Sequence, residues 1–431
     1  MDLITVALAV FFTLAVLLTC GVWIAISLLG AGLAALWLGT SAPAGQVMVT
    51  RIWGGSTSWT LTALPLFIWM GEILFRTRLS EQLFAGLSPM VSRLPGRLLH
   101  VNVFGSGIFA AACGSTAATV ATIGRITLPE LEKRNYSTRM SLGSLVAAGT
   151  IGIMIPPSIT FIVYGSAAEV SVTRLFIAGI IPGLILLAMM SSLVTIWALW
   201  TKPQVKQDEM AAGFAEYMRV AGGLLPVLFL ILIVIGSIYT GQATPTEAGA
   251  VGVVGALVIS FATGMLSWKS FMESVDGALQ TSCMIGFITM AAIFLTVAMA
   301  YVGVPRWIAL GVANMGLSPY ALIALLTLVF VILGCFLDGI SIIVLATSLL
   351  LPTITQAGFD LIWFGVYLVL VVEMSMITPP IGLNLFVAQG LTRRPISEIS
   401  IAALPFFCIM VVFVVILVWF PAIATYLPTK L

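Results

Sequence analysis

The chain has 431 residues, of which 61% are hydrophobic and only 8% are charged, and its formal net charge is +2. Because a soluble domain carries about 25% charged residues, this composition excludes a soluble globular protein and a disordered chain. The small net charge also excludes a nucleic-acid binder, which needs a concentrated basic surface. The apolar runs are long and continuous, unlike the short alternating segments of an outer-membrane barrel. They predict an all-α polytopic membrane protein.

Ten apolar segments are about long enough to cross a bilayer as helices, each needing about 20 residues. The first follows Met1 and Asp2 without a basic region or a cleavage site, so we expect a retained span rather than a signal peptide. The predicted spans are 2–20, 23–40, 58–76, 140–165, 175–200, 222–240, 247–266, 280–300, 360–389 and 398–427.

Two further apolar stretches, 100–129 and 318–355, are long for one span and short for two. Each has small, polar or charged residues near its middle, namely CGST at 113–116 and CFLDG at 335–339. Irregular backbone at membrane depth is tolerated only inside protein or beside a cavity. We therefore predict two re-entrant helical hairpins with their tips near the midplane.

The distribution of basic residues supports these hairpins. Basic residues flank the first stretch on both sides, whereas no Lys or Arg occurs between Arg306 and Arg393. Since Lys and Arg concentrate in cytoplasmic loops, both ends of the first hairpin should be cytoplasmic and both ends of the second periplasmic. This arrangement places 13 basic residues inside and four outside, with both termini in the periplasm.

A spacing of 223 residues relates the two halves of the chain. It carries each proline of one set onto a proline of another: Pro129, Pro156, Pro157 and Pro182 onto Pro352, Pro379, Pro380 and Pro405. It also superimposes the two hairpin stretches. We therefore predict two repeats, 1–201 and 222–431, each with five spans and one hairpin, joined by a cytoplasmic linker at 202–221. Because each repeat has an odd number of spans, the second repeat must lie in the membrane with the opposite orientation to the first. Inverted repeats of this kind are a signature of secondary transporters.

Two segments between predicted spans have an interfacial character. Residues 41–57 and 78–97 are predicted to be amphipathic segments at the membrane surface, with Trp53 and Trp59 as anchors. The alternative is that both are ordinary surface loops.

Proline pairs interrupt two of the predicted spans, in IGIMIPPSI at 151–159 and in MSMITPPIGLN at 374–384. A proline removes the hydrogen bond to the carbonyl four residues earlier. The pairs should therefore free the carbonyls of Gly152 and Ile153, and those of Ser375 and Met376. A free carbonyl at membrane depth is costly unless something coordinates it. A sodium ion is one partner; a packing kink satisfied by nearby hydroxyl groups is the alternative.

The hairpin tips offer complementary chemistry. The first carries Ser115, Thr116 and Thr119, and the second carries Asp338, Gly339 and Ser341. The second arm of each hairpin presents a helix N-terminus to the midplane, where its positive dipole end attracts anions. Cation sites and an anionic substrate can thus share one vestibule. Ser115 and Thr116 are also suited to simple helix capping.

Several other ionisable residues are candidates for a functional role, and two of them have alternative interpretations. Glu373, inside a span, could tune a cation site or take a proton. Arg125, the basic residue of the first hairpin, could reach the cytoplasm or bind a substrate carboxylate. Glu247 and Glu72 fit structural roles at helix ends, and His100 fits an interfacial one. The chain has no Walker A motif and its five cysteines lack CxxC spacing, so we expect neither ATP hydrolysis nor a zinc cluster.

Three segments resemble the large membrane subunit (DctM-like) of tripartite ATP-independent periplasmic (TRAP) transporters. They are CGSTAATVATIGRITLPELEKRNYSTRMSLGSLVAAGTIGIMIPPSITFIVYG (113–165), ATPTEAGA (243–250) and ITPPIGLNLFVAQG (377–390). One departure is the turn at 21–24, which lacks the proline common in the family. The resemblance implies a sodium-driven importer of organic acids in the bacterial inner membrane, with an elevator-type movement of both hairpins. It also implies two partners: a small membrane subunit (DctQ-like), expected as a separate chain, and a periplasmic substrate-binding protein (DctP-like).

The resemblance also implies which residues bind the ion and the substrate. The sodium ligands fall at each hairpin tip and the facing helix break: Ser115, Gly149, Gly152, Ile153, Pro156, Asp338, Gly339, Ser375, Met376 and Thr378. The substrate contacts fall at Ser115, Thr116, Arg125, Gly339 and Asn384. No organic cofactor is expected, and the transported organic acid cannot be identified from these residues.

Two rival functions remain compatible with parts of the sequence. One is a stand-alone sodium- or proton-coupled carboxylate carrier of similar fold, which needs no binding protein. The other is an intramembrane enzyme or a proton-pumping subunit. The second is disfavoured because the sequence offers few buried titratable groups and no nucleophile–base pair, so we predict that the protein is not an enzyme.

Overall fold

The computed structural model describes residues 3–77, 86–201, 222, 225–335, 337–379 and 382–430, and these contain helices and no strand. Five of the described helices are individually long and apolar enough to cross a membrane, and two bent helix pairs raise that number to seven. Shorter apolar helices of 10–17 residues make up most of the remainder. The all-α, multi-pass prediction is thus confirmed.

The first half of the chain, residues 3–201, forms nine α-helices of known bounds. They are α1 (Leu3–Thr19), α2 (Ile24–Gly39), α3 (Ala44–Ser56), α4 (Ala63–Arg76), α5 (Leu99–Cys113), α6 (Thr116–Lys133), α7 (Thr138–Met154), α8 (Ile159–Ala167) and α9 (Val172–Thr201). Helices α5 and α6 meet at residues 114–115, so the stretch predicted to be the first hairpin is a pair of helices with a tight turn.

The second half forms a similar series. It comprises α10 (Leu225–Tyr239), α11 (Pro245–Ala262), α12 (Trp268–Val302), α13 (Val304–Asn314), α14 (Pro319–Gly334), α15 (Gly339–Gln356), α16 (Leu361–Ser375), α17 (Leu383–Thr392), α18 (Ile396–Trp419) and the short α19 (Ala422–Thr425). Helices α14 and α15 are the two arms predicted for the second hairpin.

The bounds of α6 and α15 coincide at both ends after a shift of 223 residues. The pairs α1 and α10, and α2 and α11, agree to within a few residues under the same shift. One element differs: α3 and α4 are bent by 54° at a short break, whereas the matching region is the continuous 35-residue helix α12. The break follows Gly54, Gly55 and Ser56, which are weak helix formers.

The structure corrects the bounds of one predicted span and rules out one alternative. The span placed at 280–300 lies inside the longer α12, which begins at Trp268. The surface-loop alternative for 41–57 is wrong, because 44–56 is helical. The spans placed at 140–165 and 360–389 are each interrupted near the proline pair, as predicted. The linker at 202–221 and residues 78–85 of the second interfacial segment lie outside the described residues.

The helices pack in two groups. In one group, α12 packs on α2, α3 and α4, while α11 packs on α4 and α10. The other contains the hairpin arms and the interrupted helices, with α5 and α6 on α7 and with α14 and α15 on α16. The groups touch where α4 meets α5 and where α12 meets α15. At the second contact, Thr296 Oγ1 donates a hydrogen bond to Ser348 Oγ at 2.5 Å.

The first hairpin approaches α7 most closely at Gly152. A Cβ atom added at Gly152 would lie 1.7 Å from Ala110 Cβ and 2.7 Å from Ala110 Cα. Both atoms belong to the first arm, α5, close to the tip. Residue 152 must therefore be glycine for the hairpin to approach this closely.

Substitution Gly152→Ala should lower the stability of the protein by about 1–3 kcal/mol, the usual cost of overpacking. Gly286→Ala in α12 is the matched control, because a Cβ at Gly286 would meet nothing within 4 Å. Thermal unfolding of the purified variants in detergent measures the difference. Equal midpoints for the two variants would show that α5 does not depend on this close approach.

Candidate transport site

The first hairpin tip is a sharp turn that starts a new helix. Gly114, with φ of 63°, ends α5 in the left-handed conformation that glycine adopts without strain. Ser115 Oγ then accepts a hydrogen bond from the Ala118 N–H at 3.3 Å and caps α6. The Ser115 carbonyl accepts the Thr119 hydroxyl at 2.8 Å. The predicted capping role of Ser115 is thus confirmed, and the N-terminus of α6 lies at the tip beside buried Thr116.

The break that faces this tip separates α7 from α8, whose axes differ by 46°. Ile155 N–H still bonds to the Ile151 carbonyl at 3.3 Å. Beyond it, no hydrogen bond from the described residues reaches the carbonyls of Gly152 or Ile153, as the proline pair predicts. Gly149 lies inside the regular part of α7, so its carbonyl belongs to the helical ladder.

The tip and the break are in contact. A Cβ atom at Gly149 would lie 2.3 Å from Val120 Cγ2 and 3.6 Å from the Thr116 carbonyl oxygen. The ring of Pro156 lies elsewhere, in a small apolar crevice beside Phe176 and Ile238. The structure thus places Thr116 and Val120 of α6, and Ala110 of α5, against Gly149 and Gly152 of α7.

The second tip has the same design with a carboxylate in place of the hydroxyl group. Asp338 Oδ2 accepts the N–H groups of Ile340 at 3.1 Å and Ser341 at 3.3 Å, and Oδ1 accepts the Ser341 hydroxyl. Asp338 therefore caps α15, and its negative charge lies at the positive end of that helix. Gly339 lies against Val372, since a Cβ there would be 2.9 Å from Val372 Cγ1.

The second break differs from the prediction. The Ser375 carbonyl accepts the Thr378 N–H at 3.1 Å, and the Met376 carbonyl accepts the Asn384 N–H at 3.2 Å. The inference that the proline pair leaves both carbonyls free is therefore wrong. After Ser375 the chain makes a short turn, and Asn384 folds back onto it. A carbonyl oxygen has two lone pairs, so each of these atoms keeps one for a ligand.

This turn also lies against its hairpin. Gly334 of α14 is so close to Ser375 that a Cβ there would be 1.9 Å from Ser375 Oγ. The Cys335 thiol donates to the Pro379 carbonyl at 3.3 Å, and the Thr378 hydroxyl donates to the Met374 carbonyl at 2.8 Å. The second hairpin tip and the second break are thus in contact. They bring together five of the predicted sodium ligands: Asp338, Gly339, Ser375, Met376 and Thr378.

Each hairpin tip and the helix break that faces it form one unit, and each unit also packs against the hairpin of the other. The helix after the first break, α8, packs on α15 of the second hairpin, and the helix after the second break, α17, packs on α6 of the first. Asn384 joins them directly: its side-chain Nδ2 donates to the Val146 carbonyl of α7 at 3.3 Å. Asn384 is fully buried, and its Oδ1 has no hydrogen-bond partner among the described residues. This oxygen is free to accept a hydrogen bond from a ligand.

The structure does not place Arg125 with the other predicted substrate residues. Arg125 is ten residues beyond Ser115 on α6, which corresponds to about 15 Å along a helix. Its side chain is exposed and lines a separate cavity of about 420 Å³ near the C-terminal end of α6. Arg125 therefore lies away from the hairpin tips.

Glu373 remains a candidate for tuning a cation site or for taking a proton. It lies two residues before Ser375, only 2% of its surface is exposed, and its Oε2 has no partner among the described residues. The other candidates have structural contacts: Glu72 pairs with Arg76 at 3.1 Å, and Glu247 forms a capping box with Thr244. His100 is buried, with its ring nitrogens 2.7 Å from the Pro95 carbonyl and 2.9 Å from Ser191 Oγ.

Sequence reasoning missed a buried asparagine that holds the first hairpin. Asn102 Nδ2 donates to the Ser141 carbonyl at 3.1 Å and to Ser144 Oγ at 2.9 Å, and so fixes α5 on α7. In the second half the contact is made from the other side: Tyr367 of α16, which the 223-residue shift matches to Ser144, has its hydroxyl 2.7 Å from Thr327 Oγ1 of α14. An asparagine within an apolar run was the signal that could have identified the first of these contacts.

Solved structures of membrane transporters share this fold. The YdaH transporter of Alcanivorax borkumensis has a TM-score of 0.60 at 13% identity, covering 89% of this chain and 86% of its own. MtrF of Neisseria gonorrhoeae has a TM-score of 0.53 at 10% identity, covering 88% and 83%. At such low identity the likeness concerns the fold alone, which is one that transporters use.

Residues 11–423 match the family described as the DctM component of the tripartite ATP-independent periplasmic transporter, and the chain belongs to that family. It is an inner-membrane transporter permease subunit rather than an enzyme. The family implies a small membrane subunit and a periplasmic binding protein as partners.

Three relatives illustrate the range of named substrates. A C4-dicarboxylate TRAP large permease of Pseudomonas aeruginosa is 32% identical over 89% of this chain and 90% of its own length. An isethionate TRAP permease of Oleidesulfovibrio alaskensis, named DctMQ, is 34% identical over 95% of this chain but 64% of its own length. An ectoine/5-hydroxyectoine permease of Ruegeria pomeroyi is 32% identical over 98% of each chain.

The capping role of Asp338 can be separated from any role in ion binding. Asp338→Ala should lower the stability of the protein by about 1 kcal/mol, because it removes the N-cap of α15, whereas Asp338→Asn should stay close to wild type. Thermal unfolding without added substrate compares the two variants. If both variants are equally destabilised, the negative charge rather than the cap holds the tip.

Proposed function

We propose that this chain is the large permease subunit of a sodium-driven TRAP transporter that imports an organic acid. The observation that carries the proposal is the pair of units in which a capped hairpin tip meets an interrupted helix. Transporters commonly bind coupling ions at unwound carbonyls and anionic substrates at half-helix N-termini. Sodium would bind at the two breaks and the substrate between the tips.

The available oxygen atoms support sodium as the coupling ion. The first break offers the carbonyls of Gly152 and Ile153, which accept no hydrogen bond from the described residues. The second offers the Asp338 carboxylate beside the turn at Ser375–Thr378. A hard cation prefers such an oxygen set, and its charge would offset the cost of burying the carboxylate.

The proposed substrate is an organic anion. Its carboxylate would lie at the N-termini of α6 and α15, with the Asn384 amide between them. The named substrates of the relatives in P. aeruginosa and O. alaskensis are C4-dicarboxylates and isethionate, and the R. pomeroyi relative is named for ectoine. This range favours a small, highly polar acid and leaves its carbon skeleton to the binding protein.

The proposed architecture is two inverted repeats, 1–201 and 222–431, that divide their work between the two helix groups. The group of α2, α4, α11 and α12 would be the fixed scaffold, and the hairpin group would move across the membrane as an elevator. Asn102 and Tyr367 support this division, because they tie each hairpin to its interrupted helix. A hairpin held in this way travels with its ion site.

The inverted arrangement predicts opposite sides for the two ends of the α7–α8 pair. Single cysteines at Lys133 and Glu169 should react with membrane-impermeant maleimide from the cytoplasm and from the periplasm, respectively. Both positions are exposed, so reactivity reports only the side of the membrane. Labelling of both from one side would contradict the hairpin topology and the inverted repeat together.

Transport should require the partners and sodium. Proteoliposomes with this chain alone should show no uptake of free organic acid. Adding the small subunit and the loaded periplasmic binding protein from neighbouring genes should start uptake that depends on an inward sodium gradient. Uptake by the isolated chain would support the stand-alone carrier instead. Full uptake in sodium-free buffer with a proton gradient would replace sodium by protons and make Glu373 the leading carrier.

Asp338→Asn should raise the sodium concentration for half-maximal uptake by about tenfold, a loss of about 1.4 kcal/mol, without unfolding the protein. Asp276→Asn is the matched control. Asp276 loses the same charge, but its side chain contacts Gln280 on α12, outside the hairpin group. An unchanged sodium dependence in Asp338→Asn would remove Asp338 from the ion site.

A further inference from the structure

A cavity of about 420 Å³ lies among the C-terminal ends of α6 and α17, the N-terminus of α7 and the start of α18. It is separate from the hairpin tips, since Arg125 in its wall is about 15 Å along α6 from Ser115. In the topology proposed above, this is the cytoplasmic side of the moving group. Nothing in the transport site described so far uses it.

The cavity has two cations in its wall. Arg394 is held by Glu398, with Nη1 at 2.6 Å from Oε1. Arg125 is exposed in the cavity wall, and it makes no hydrogen bond or ion pair with the residues that the structure describes. Guanidinium groups suit planar carboxylates because they donate two parallel hydrogen bonds. An unpaired arginine inside a cavity is therefore ready to bind an anion.

The remaining walls suit a small organic molecule. Leu128, Leu142 and Leu391 line one part, and the hydroxyl groups of Thr138 and Ser141 line another. Thr138 begins α7, whose N-cap residue Ser137 makes no side-chain capping bond. The first-turn N–H groups of α7 thus add positive potential to that of the arginines. The mixture of apolar and cationic walls matches a carboxylate on a short carbon skeleton.

One acidic residue, Glu132, also lines the cavity. It is seven residues beyond Arg125 on α6 and next to the last residue of that helix. A separation of seven residues places both on one helix face, with Glu132 about 10 Å nearer the helix end. The Arg125 end of the cavity is thus positive and the Glu132 end is negative.

We infer that this cavity binds a small organic carboxylate through Arg125 and Arg394 as a release station between the midplane site and the cytoplasm. The inference rests on the proposed function for the direction of transport and for the identity of the anion as cargo. The binding itself follows from the cavity and needs no partner protein or sodium gradient.

The test measures the local potential with charged thiol reagents. A Thr138→Cys variant, in a background with serine at the exposed positions Cys20, Cys283 and Cys408, is placed in phosphatidylcholine nanodiscs. A negatively charged methanethiosulfonate should react faster than a positively charged one. The measured quantity is the ratio of these two reaction rates. Arg125→Gln should lower this ratio by about tenfold, and Glu132→Gln should raise it. Lys269→Gln, a change of the same charge at an exposed side chain outside the cavity, should leave it unchanged.

Binding is then measured by protection. Millimolar succinate should slow the labelling of Thr138→Cys, and Arg125→Gln should abolish this protection. Absence of protection, or an unchanged ratio in Arg125→Gln, would overturn the inference. If phosphatidylglycerol in the nanodiscs protects and succinate does not, the cavity binds a lipid headgroup and the release station is wrong. Because labelling requires neither sodium nor the binding protein, failure of the transport assays would leave these results intact.

Discussion

The structure depends on how the helix ends at the two breaks and the two hairpin tips are satisfied. Two helices are interrupted and two hairpins turn back inside the protein, so several carbonyl and N–H groups lose their helical partners. Ser115 and Asp338 supply acceptors for the N–H groups at the tips. At the breaks, two carbonyls receive hydrogen bonds from a turn and two receive none from the described residues. The unsatisfied pair makes the first break the stronger candidate for an ion.

The two halves solve this problem differently although their helices correspond. In the first half, glycine on the interrupted helix admits the hairpin at Gly152; in the second, glycine on the hairpin admits Ser375 at Gly334. One tip is capped by a neutral hydroxyl group and the other by a carboxylate. The two proposed ion sites would therefore differ in charge.

Much of the fold could be predicted from the sequence, because proline spacing and apolar length report directly on helix interruption. The hairpin predicted at 100–129, with its tip at 113–116, corresponds to α5 and α6, which meet at residues 114–115. The length of α12 was missed because its polar first turns, around Lys269 and Asp276, lie outside any apolar window. The hydrogen bond from Asn384 to the Met376 carbonyl depends on a chain reversal that no local pattern reports. Arg125 was predicted to contact the substrate together with Ser115 and Thr116. The rise of the helix already places it about 15 Å from Ser115.

The crossed packing of α8 on α15 and of α17 on α6 has a consequence for biosynthesis. When the ribosome has made the first half, one side of α6 still lacks the helix that covers it, since α17 ends at Thr392 near the end of the chain. The fully buried amide of Asn384 likewise meets Val146 only then. The first hairpin must therefore wait in the bilayer as a loosely packed intermediate, and its completion is a late, long-range step. A chain that ends before α17 would leave this side of α6 without its covering helix.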